Sequence, residues 1–583
     1  MQGGEWLTEW ILASLERIQN KRLKNEYMNT DLSESKQPTL PAALLPIVVL
    51  ITLLGVNVFL YGEDSSYGPN QIALLMAASA AAIVGLLIKV PFPKMIGGIE
   101  RAIGSALSAM LILLLIGSLA GTWMMSGVVP AMIYYGLDVL NPKIFLAASA
   151  VICAIVSVAT GSSWSTVATV GIALLGIGSA LGISEAWAAG AIISGAYFGD
   201  KISPLSDTTN LAAAMAGTNL ITHIKYMLWT TVPSFSIALI IYVVVGFGAE
   251  PSAMAIDTSA LKQEVASHFD TLSPVLFLVP LSVLVMVLMK VDAVAALFVG
   301  AVLGGVFAII FQPSMITRIA GLDQVEVVSE VEGEAPTMVE PSYFKRSYMA
   351  FVNSMAFETK GVSDDDAKNV ETELATAKLE SARRQTSNPN MTQAELDESE
   401  LVLTDSFAGL EAKLETKTSA AKLLKGKGMV GMLNTIWLII TAMCFGGIME
   451  ACGLLKRITD PLVGMAQSTG SLIATTAGSC VFVNATASDQ YLAIVVPGQM
   501  FKETYEERGL APENLSRTLE DAGTVTSVLI PWNTCGAAQS AVLGVGVLTF
   551  APFCFFNWIS PLMTIAVGFL GIGIRKLKKS DVK

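Results

Sequence analysis

The chain has 583 residues, 53% of them hydrophobic and only 14% charged, with a formal net charge of −12 and a mean hydropathy of +0.60. Soluble domains carry roughly 25% charged residues, so a soluble enzyme and a disordered scaffold are both excluded, and the acidic balance removes any electrostatic footprint for nucleic acid. Apolar stretches of about 20 residues, each long enough to cross a bilayer, recur along the chain and predict an all-α polytopic membrane protein.

The first 40 residues do not read as a signal peptide, because acidic residues break the start and no apolar core follows. Leu7, Ile11, Leu15 and Ile18 repeat at helical spacing beside Trp6 and Trp10, with Glu5, Glu9 and Glu16 on the opposite face. This predicts a cytoplasmic amphipathic segment lying either on the membrane surface or against the protein.

Residues 41–248 hold the first series of spans, 249–271 form an acidic external connection, and 272–312 read as a helical hairpin turning near Lys290 and Asp292. An insert at 313–428 follows, with 13 Lys/Arg against 20 Asp/Glu, a composition too polar for a large core and expected to be partly disordered or a small helical cap. Spans resume over 429–574, and a basic tail, 575–583, closes the chain. Gly and Pro interruptions leave the count at roughly 11 to 14 membrane segments. Lys89, Lys94 and Arg101, Lys456 and Arg457, and the basic clusters at both ends place both termini in the cytoplasm by the positive-inside rule.

The two series of spans resemble each other. Gly-Thr-Trp-Met-Met-Ser-Gly ending at Gly127 has a counterpart ending at Gly453, an offset of 326. The same offset sets Thr160–Ser165 against Thr486–Tyr491, Gly199-Asp200 falls opposite Glu520-Asp521, and Asp207-Thr208-Thr209 opposite Trp532-Asn533-Thr534. The charge pattern gives the halves opposite senses. Two inverted-topology repeats with discontinuous helices in matching places are a common secondary-transporter architecture, with the site near the midplane.

The polar residues at those breaks are the candidate site. In the first half, Asp200, Lys201, Ser203, Ser206, Asp207, Thr208, Thr209 and Asn210 stand between apolar flanks, and Pro204 breaks the helix and frees carbonyls. Thr160 and Ser163 belong to a hydroxyl-rich break without charge. In the second half stand Asn484, Thr486, Ser488 and Asp489, then Thr518, Glu520 and Asp521, then Asn533 and Thr534. Irregular backbone survives in the bilayer only inside protein or beside a wet cavity, and intramembrane charges cost about 2.5–3.5 kcal/mol each on insertion scales. Carboxylates, hydroxyls and amides are hard oxygen ligands, suited to Na⁺ or a proton. The expected cation and proton site comprises Asp200, Asp207, Ser203, Ser206, Thr208, Thr209, Asn210, Thr160, Ser163, Asn484, Thr486, Asp489, Asp521, Asn533 and Thr534, with Na⁺ at Asp200, Asp207, Asn533 and Thr534. Asp207 also reads as a cap on its own helix, and Glu520 as a residue of a cytoplasmic vestibule beside Arg517. Trp164, Trp229 and Trp532 read as packing or interfacial residues. The six cysteines sit in apolar segments without metal spacing, so no cofactor is expected. With two histidines, no H-E-x-x-H and no phosphate-binding loop, the chain is expected to be neither an enzyme nor an ATP-driven pump.

The stretch GAYFGDKISPLSDTTNLAAAMAGT resembles the signature region of the NhaC family of Na⁺/H⁺ antiporters, in the ion transporter superfamily. VLIPWNTCGAAQ and ATGSSWSTVATVG are similar to that family's other polar motifs, and the likeness covers roughly 41–312 and 429–574. It implies exchange of Na⁺ for H⁺ across a bacterial inner (plasma) membrane, with Asp200, Asp207 and their hydroxyl neighbours as the residues concerned. Lipid is then the surrounding partner, a homodimer stays open, and related members exchange small organic anions such as malate and lactate. The insert departs from a minimal member of the family. Rival readings are an antiporter of organic anions or amino acids, using Lys201 or helix N-termini, and an ion channel.

Overall fold

The computed structural model describes residues 37–61, 65, 67–248, 258–289, 291–320, 325–327, 337–339, 342–357, 368–378, 410, 414, 417–418, 428–465 and 467–577. The expected amphipathic stripe over residues 7–18 lies outside them.

Among the described residues, seven helices are long and apolar enough to cross a bilayer, or eight if Thr534–Leu543 and Val547–Phe553, bent by 90°, form one span. Four more apolar helices run only 10–17 residues. The 11 to 14 segments expected from sequence count these half-length pieces together with the full spans, because hydropathy registers composition and not where a helix stops. Large apolar side chains such as Phe59, Trp229, Ile240, Phe298 and Phe569 face outward, while Ser, Thr, Asn and charged residues gather inside. That distribution fits a lipid exterior around a polar interior. The protein is an all-α polytopic membrane protein.

A hairpin of α1 (Leu40–Tyr61) and α2 (Pro69–Leu87) leads into the long α3 (Phe92–Met125), which ends where Gly127 turns left-handed at φ 79°. Then follow α4 (Val128–Val139), α5 (Phe145–Thr160), a break, α6 (Ser163–Ala180), α7 (Glu185–Ile202), a second break, α8 (Asp207–Ala216) and α9 (Leu220–Gly248). The acidic connection carries α10 (Thr258–Ser267), and a second hairpin joins α11 (Pro274–Leu288) to α12 (Ala293–Phe311).

From the insert come α13 (Pro313–Ala320), an antiparallel ribbon of Val325–Val327 with Thr337–Val339, and α14 (Tyr343–Ala356). Helix α14 is part of the bundle: it packs on α3, and Ser118 donates to the Met355 carbonyl at 3.1 Å.

The order of elements then recurs. Helix α15 (Val430–Ala451) ends at Gly453, φ 69°, the position 326 residues beyond Gly127. After it come α16 (Leu454–Met465), of 12 residues like α4, α17 (Thr469–Thr486), a break, α18 (Leu492–Glu507), α19 (Pro512–Leu519) running into a π turn at Glu520–Thr524, a second break, and α20 (Thr534–Leu543), of 10 residues like α8. The chain finishes with α21 (Val547–Phe550) and α22 (Phe555–Leu570). The hairpins are exchanged between halves: α2 packs on α15, and α12 packs on α3. The two long helices α3 and α15 cross where a Cβ on Gly98 would meet the Gly447 carbonyl oxygen at 2.4 Å. Only a residue without a side chain permits that approach.

Candidate functional site

The first break begins at Thr160. Gly161 takes φ 69°, and a Cβ there would come within 2.6 Å of Leu205 Cβ in the other break. The two interruptions of the first half therefore press directly on each other. Ser162 caps the new helix by accepting from Ser165 N–H at 3.2 Å, which leaves the neighbouring Ser163 N–H aimed elsewhere. Its target is Asp200: Oδ2 accepts from Ser163 N at 3.0 Å and from Ser163 Oγ at 2.7 Å. Asp200 is 5% exposed, and its Oδ1 has no hydrogen-bond partner among the described residues.

At the second break Ser206 caps α8, accepting from Thr209 N. Asp207 follows as its first residue; one oxygen accepts from Thr208 N at 2.9 Å and the other from the Tyr491 hydroxyl. The cap that the sequence placed at Asp207 is thus Ser206, while Asp207 is the first residue of the helix and reaches the opposite half. In that half Ser488 adopts φ 60°, a conformation uncommon without glycine, and so ends α17. Asp489, 2% exposed, accepts from Leu492 N at 2.9 Å at the start of α18. Each of the three aspartates is therefore stabilised by a helix-start N–H, where the backbone dipole favours an anion.

All three line one cavity of about 130 Å³. Ser163, Thr208 and Thr534 bring hydroxyls to it, Gln490 and Tyr491 an amide and a phenol, and Trp164 and Cys535 close its walls. The floor comes from the small residues Ala106, Ser108 and Ala109 of α3. The cavity thus joins both breaks of the first half to both breaks of the second.

The remaining expected residues lie outside this lining. Ser203 braces the break by donating to the Val158 carbonyl at 2.8 Å, and Thr209 donates to the Lys201 carbonyl at 3.0 Å. Asn210 Nδ2 donates to the freed Pro204 carbonyl at 3.1 Å and to the Ser206 carbonyl at 2.6 Å, which also accepts the Asn210 backbone N–H. Thr160 bonds Thr166 and lines a separate apolar cavity. Thr486 bonds back to the Phe482 carbonyl. Asn484 and Asn533 hold the second half together, Asn533 Nδ2 donating to Asn484 O and Oδ1 at 3.0 and 3.1 Å. Asn533, expected among the Na⁺ ligands, therefore has its amide engaged in bracing.

Asp521 belongs to another cluster. It forms a fully buried ion pair with Lys201, while Thr230 donates to its second oxygen at 2.8 Å. Ser560 accepts from Lys201 Nζ at 2.9 Å and stands 3.3 Å from Asp521 Oδ1. Glu520 is fully buried and accepts from Thr208 at 3.2 Å, so it lies inside the protein and not in a vestibule. Arg517 is also fully buried, over the Tyr226 ring.

Sequence reasoning passed over Gln490, Tyr491, Cys535 and the small residues of α3 as cavity residues, and read Trp164 as a packing or interfacial residue. Gln490 and Tyr491 adjoin Asp489 in the motif already singled out, so their place was open to inspection. Ala106, Ser108 and Ala109 carry no signal beyond small size in a long apolar helix. Among the described residues no three carboxylate, thiol or imidazole side chains are grouped to hold a resident metal.

The family model of the Na⁺/H⁺ antiporter family matches residues 195–340 and 399–572. The chain is 32% identical to the Na⁺/H⁺ antiporter NhaC of Alkalihalophilus pseudofirmus, over 93% of this chain and 98% of that protein. It is 30% identical to a malate-2H⁺/Na⁺-lactate antiporter of Bacillus subtilis, over 95% and 99% respectively. It is also 30% identical to the arginine/ornithine antiporter ArcD of Halobacterium salinarum, over 93% and 94%. The two matched stretches carry Asp200, Asp207, Asp489 and Thr534 of the cavity; this chain is a membrane transporter, not an enzyme, and belongs to the Na⁺/H⁺ antiporter family.

Proposed function

We propose that this protein exchanges Na⁺ for H⁺ across a bacterial inner membrane by alternating access, the two ions competing for the carboxylates of the central cavity. The observation that carries the reading is the convergence of Asp200, Asp207 and Asp489, from breaks in both halves, on one small cavity with hydroxyl neighbours. Asp200 and Asp489 are buried and Asp207 is exposed, and a proton and an arriving cation compete for the same carboxylate oxygens. A proton taken up from one side therefore evicts Na⁺, and Na⁺ taken up from the other displaces the proton. Exchange then needs only that the cavity face the two sides in turn.

The recurring order of elements, with exchanged hairpins and paired breaks, supports two inverted repeats. The basic clusters support cytoplasmic termini. The bond from Tyr491 to Asp207 crosses between the halves and is a contact that rocking of one half against the other would make and break.

Asp207→Asn is expected to reduce pH-gradient-driven uptake of radioactive Na⁺ in proteoliposomes to that of protein-free vesicles, with an unchanged elution profile. Wild-type flux in that variant would remove Asp207 from the mechanism. A second reading, antiport of an organic anion or an amino acid, draws on the names of two relatives. Lys201, the side chain expected to hold a substrate carboxylate, is engaged by Asp521, and among the described residues no arginine lines the cavity. The acidic lining suits a cationic amino acid better than malate, and a counterflow screen with both separates these cargoes.

A further inference from the structure

The second-half counterpart of Asp200 is the Glu520-Asp521 pair, and the structure treats the two places differently. Asp200 keeps one oxygen without a partner at the cavity. Asp521 has both oxygens engaged, one by the Lys201 ammonium and one by Thr230. The ammonium is fully buried and is met by Asp521 and by the Ser560 hydroxyl, 2.9 Å away. The ring centroid of Phe556 lies 5.6 Å from it. A carboxylate and hydroxyls are the hard oxygen set that Na⁺ takes, here facing a cation carried on a four-carbon tether. Beside them Glu520, fully buried, leaves Oε2 without a hydrogen-bond partner among the described residues.

We infer that Lys201 is a tethered cation occupying a second cation site, formed by Asp521, Thr230 and Ser560, and thereby closes that site to the exchanged ion. The inference rests on the cation-exchange reading and extends it to the number of ions carried. One site stays open to Na⁺; the other holds a charge that cannot leave. Lys201 is the residue immediately after Asp200, so the filled site and the open one are joined through the same helix end. Any movement of the break carrying Asp200 is felt by the ion pair. A buried ion pair contributes little net stability but is costly to leave half-made, which fits a fixed counter-ion better than an ordinary fold-stabilising contact.

The test is equilibrium binding of radioactive Na⁺ to purified protein, at a pH where wild type binds it. Wild type is expected to bind roughly one Na⁺ per chain and Lys201→Ala roughly two, the second also raising the melting temperature of the variant in Na⁺ over choline. Adding Asp521→Asn to Lys201→Ala should abolish the second site and leave the first. A single Na⁺ in Lys201→Ala, with wild type also binding one, overturns the inference alone. Absence of Na⁺ binding in wild type instead defeats the exchange reading on which it rests. Should Lys201→Ala fail to fold in either salt, Lys201→Gln, which keeps most of the stem and loses the charge, takes its place with the same expected count.

Discussion

Asp200 and Asp521 stand at matching places in the recurring order of helices, yet their surroundings differ in kind. Asp200 is oriented by neutral donors, the amide and hydroxyl of Ser163, and faces a cavity. Asp521 is neutralised by Lys201 and enclosed by Thr230 and Ser560. Neutral donors steady an anion without cancelling its charge, so the first site retains attraction for a mobile cation. A built-in ammonium cancels it. On the proposed reading, two carboxylates of similar burial take different roles because of one residue, and that residue is supplied by the first half of the chain to the second.

The comparison is broken most severely by removing the anion of the filled site. Asp521→Asn leaves Lys201 buried without its counter-charge, a change that typically costs about 3–5 kcal/mol. The expected result is a large fall in melting temperature and in the yield of monodisperse protein. Restoring neutrality with Lys201→Met in the same chain should recover most of that loss. A stable Asp521→Asn single variant would mean that another carboxylate, Glu520 being nearest in sequence, had accepted the ammonium.

Removing an orienting group from the open site is milder. In Ser163→Ala the backbone N–H of residue 163 still reaches Asp200, and only the hydroxyl bond at 2.7 Å disappears. Bonds to charged groups contribute roughly 1.5–3 kcal/mol, so apparent Na⁺ affinity should weaken about tenfold or somewhat more while the protein stays folded. Because the lost bond favours the ionised carboxylate, the weakening should be greater at lower pH, where protons compete. An equal loss at all pH values would assign Ser163 to packing. Measuring the Na⁺ dependence of flux at two pH values distinguishes them.

Much of this arrangement was legible in the chain itself, and the limit of legibility has a physical cause. Glycine punctuation marked the corners: Gly127 and Gly453 both take the left-handed conformation, and the polar runs after Thr160 and Thr486 do interrupt helices. Intramembrane polarity picked out Asp200, Asp207, Asp489 and Thr534, because such residues are costly unless something uses them. Sequence did not reveal which polar residue meets which. Lys201 and Asp521 are 320 positions apart, and their pairing follows from the packing of α22 against both α7 and the π turn. Asn533 shows the same limit from the other side. Its motif marked it as a ligand, but its amide lies beside Asn484, which no local spacing could indicate.

The smallest effect should come from Thr486, which shares a polar break with Asp489 but lies outside the cavity lining. Its hydroxyl bonds to the Phe482 carbonyl one turn earlier at 2.8 Å, the usual way a threonine satisfies itself within its own helix. Phe482 O remains available to the helix ladder without it, so Thr486→Ala removes neither a cavity ligand nor the partner of an otherwise unpaired group. Stability should change by about 0.5 kcal/mol or less, and Na⁺ affinity and its pH dependence should match wild type in the assay used for Ser163→Ala. Proximity in sequence to Asp489 would predict otherwise. A tenfold loss of Na⁺ affinity in Thr486→Ala would show that the second-half break reorganises during exchange and turns this hydroxyl toward the ion, making the open site larger than Asp200, Asp207, Asp489 and their present neighbours.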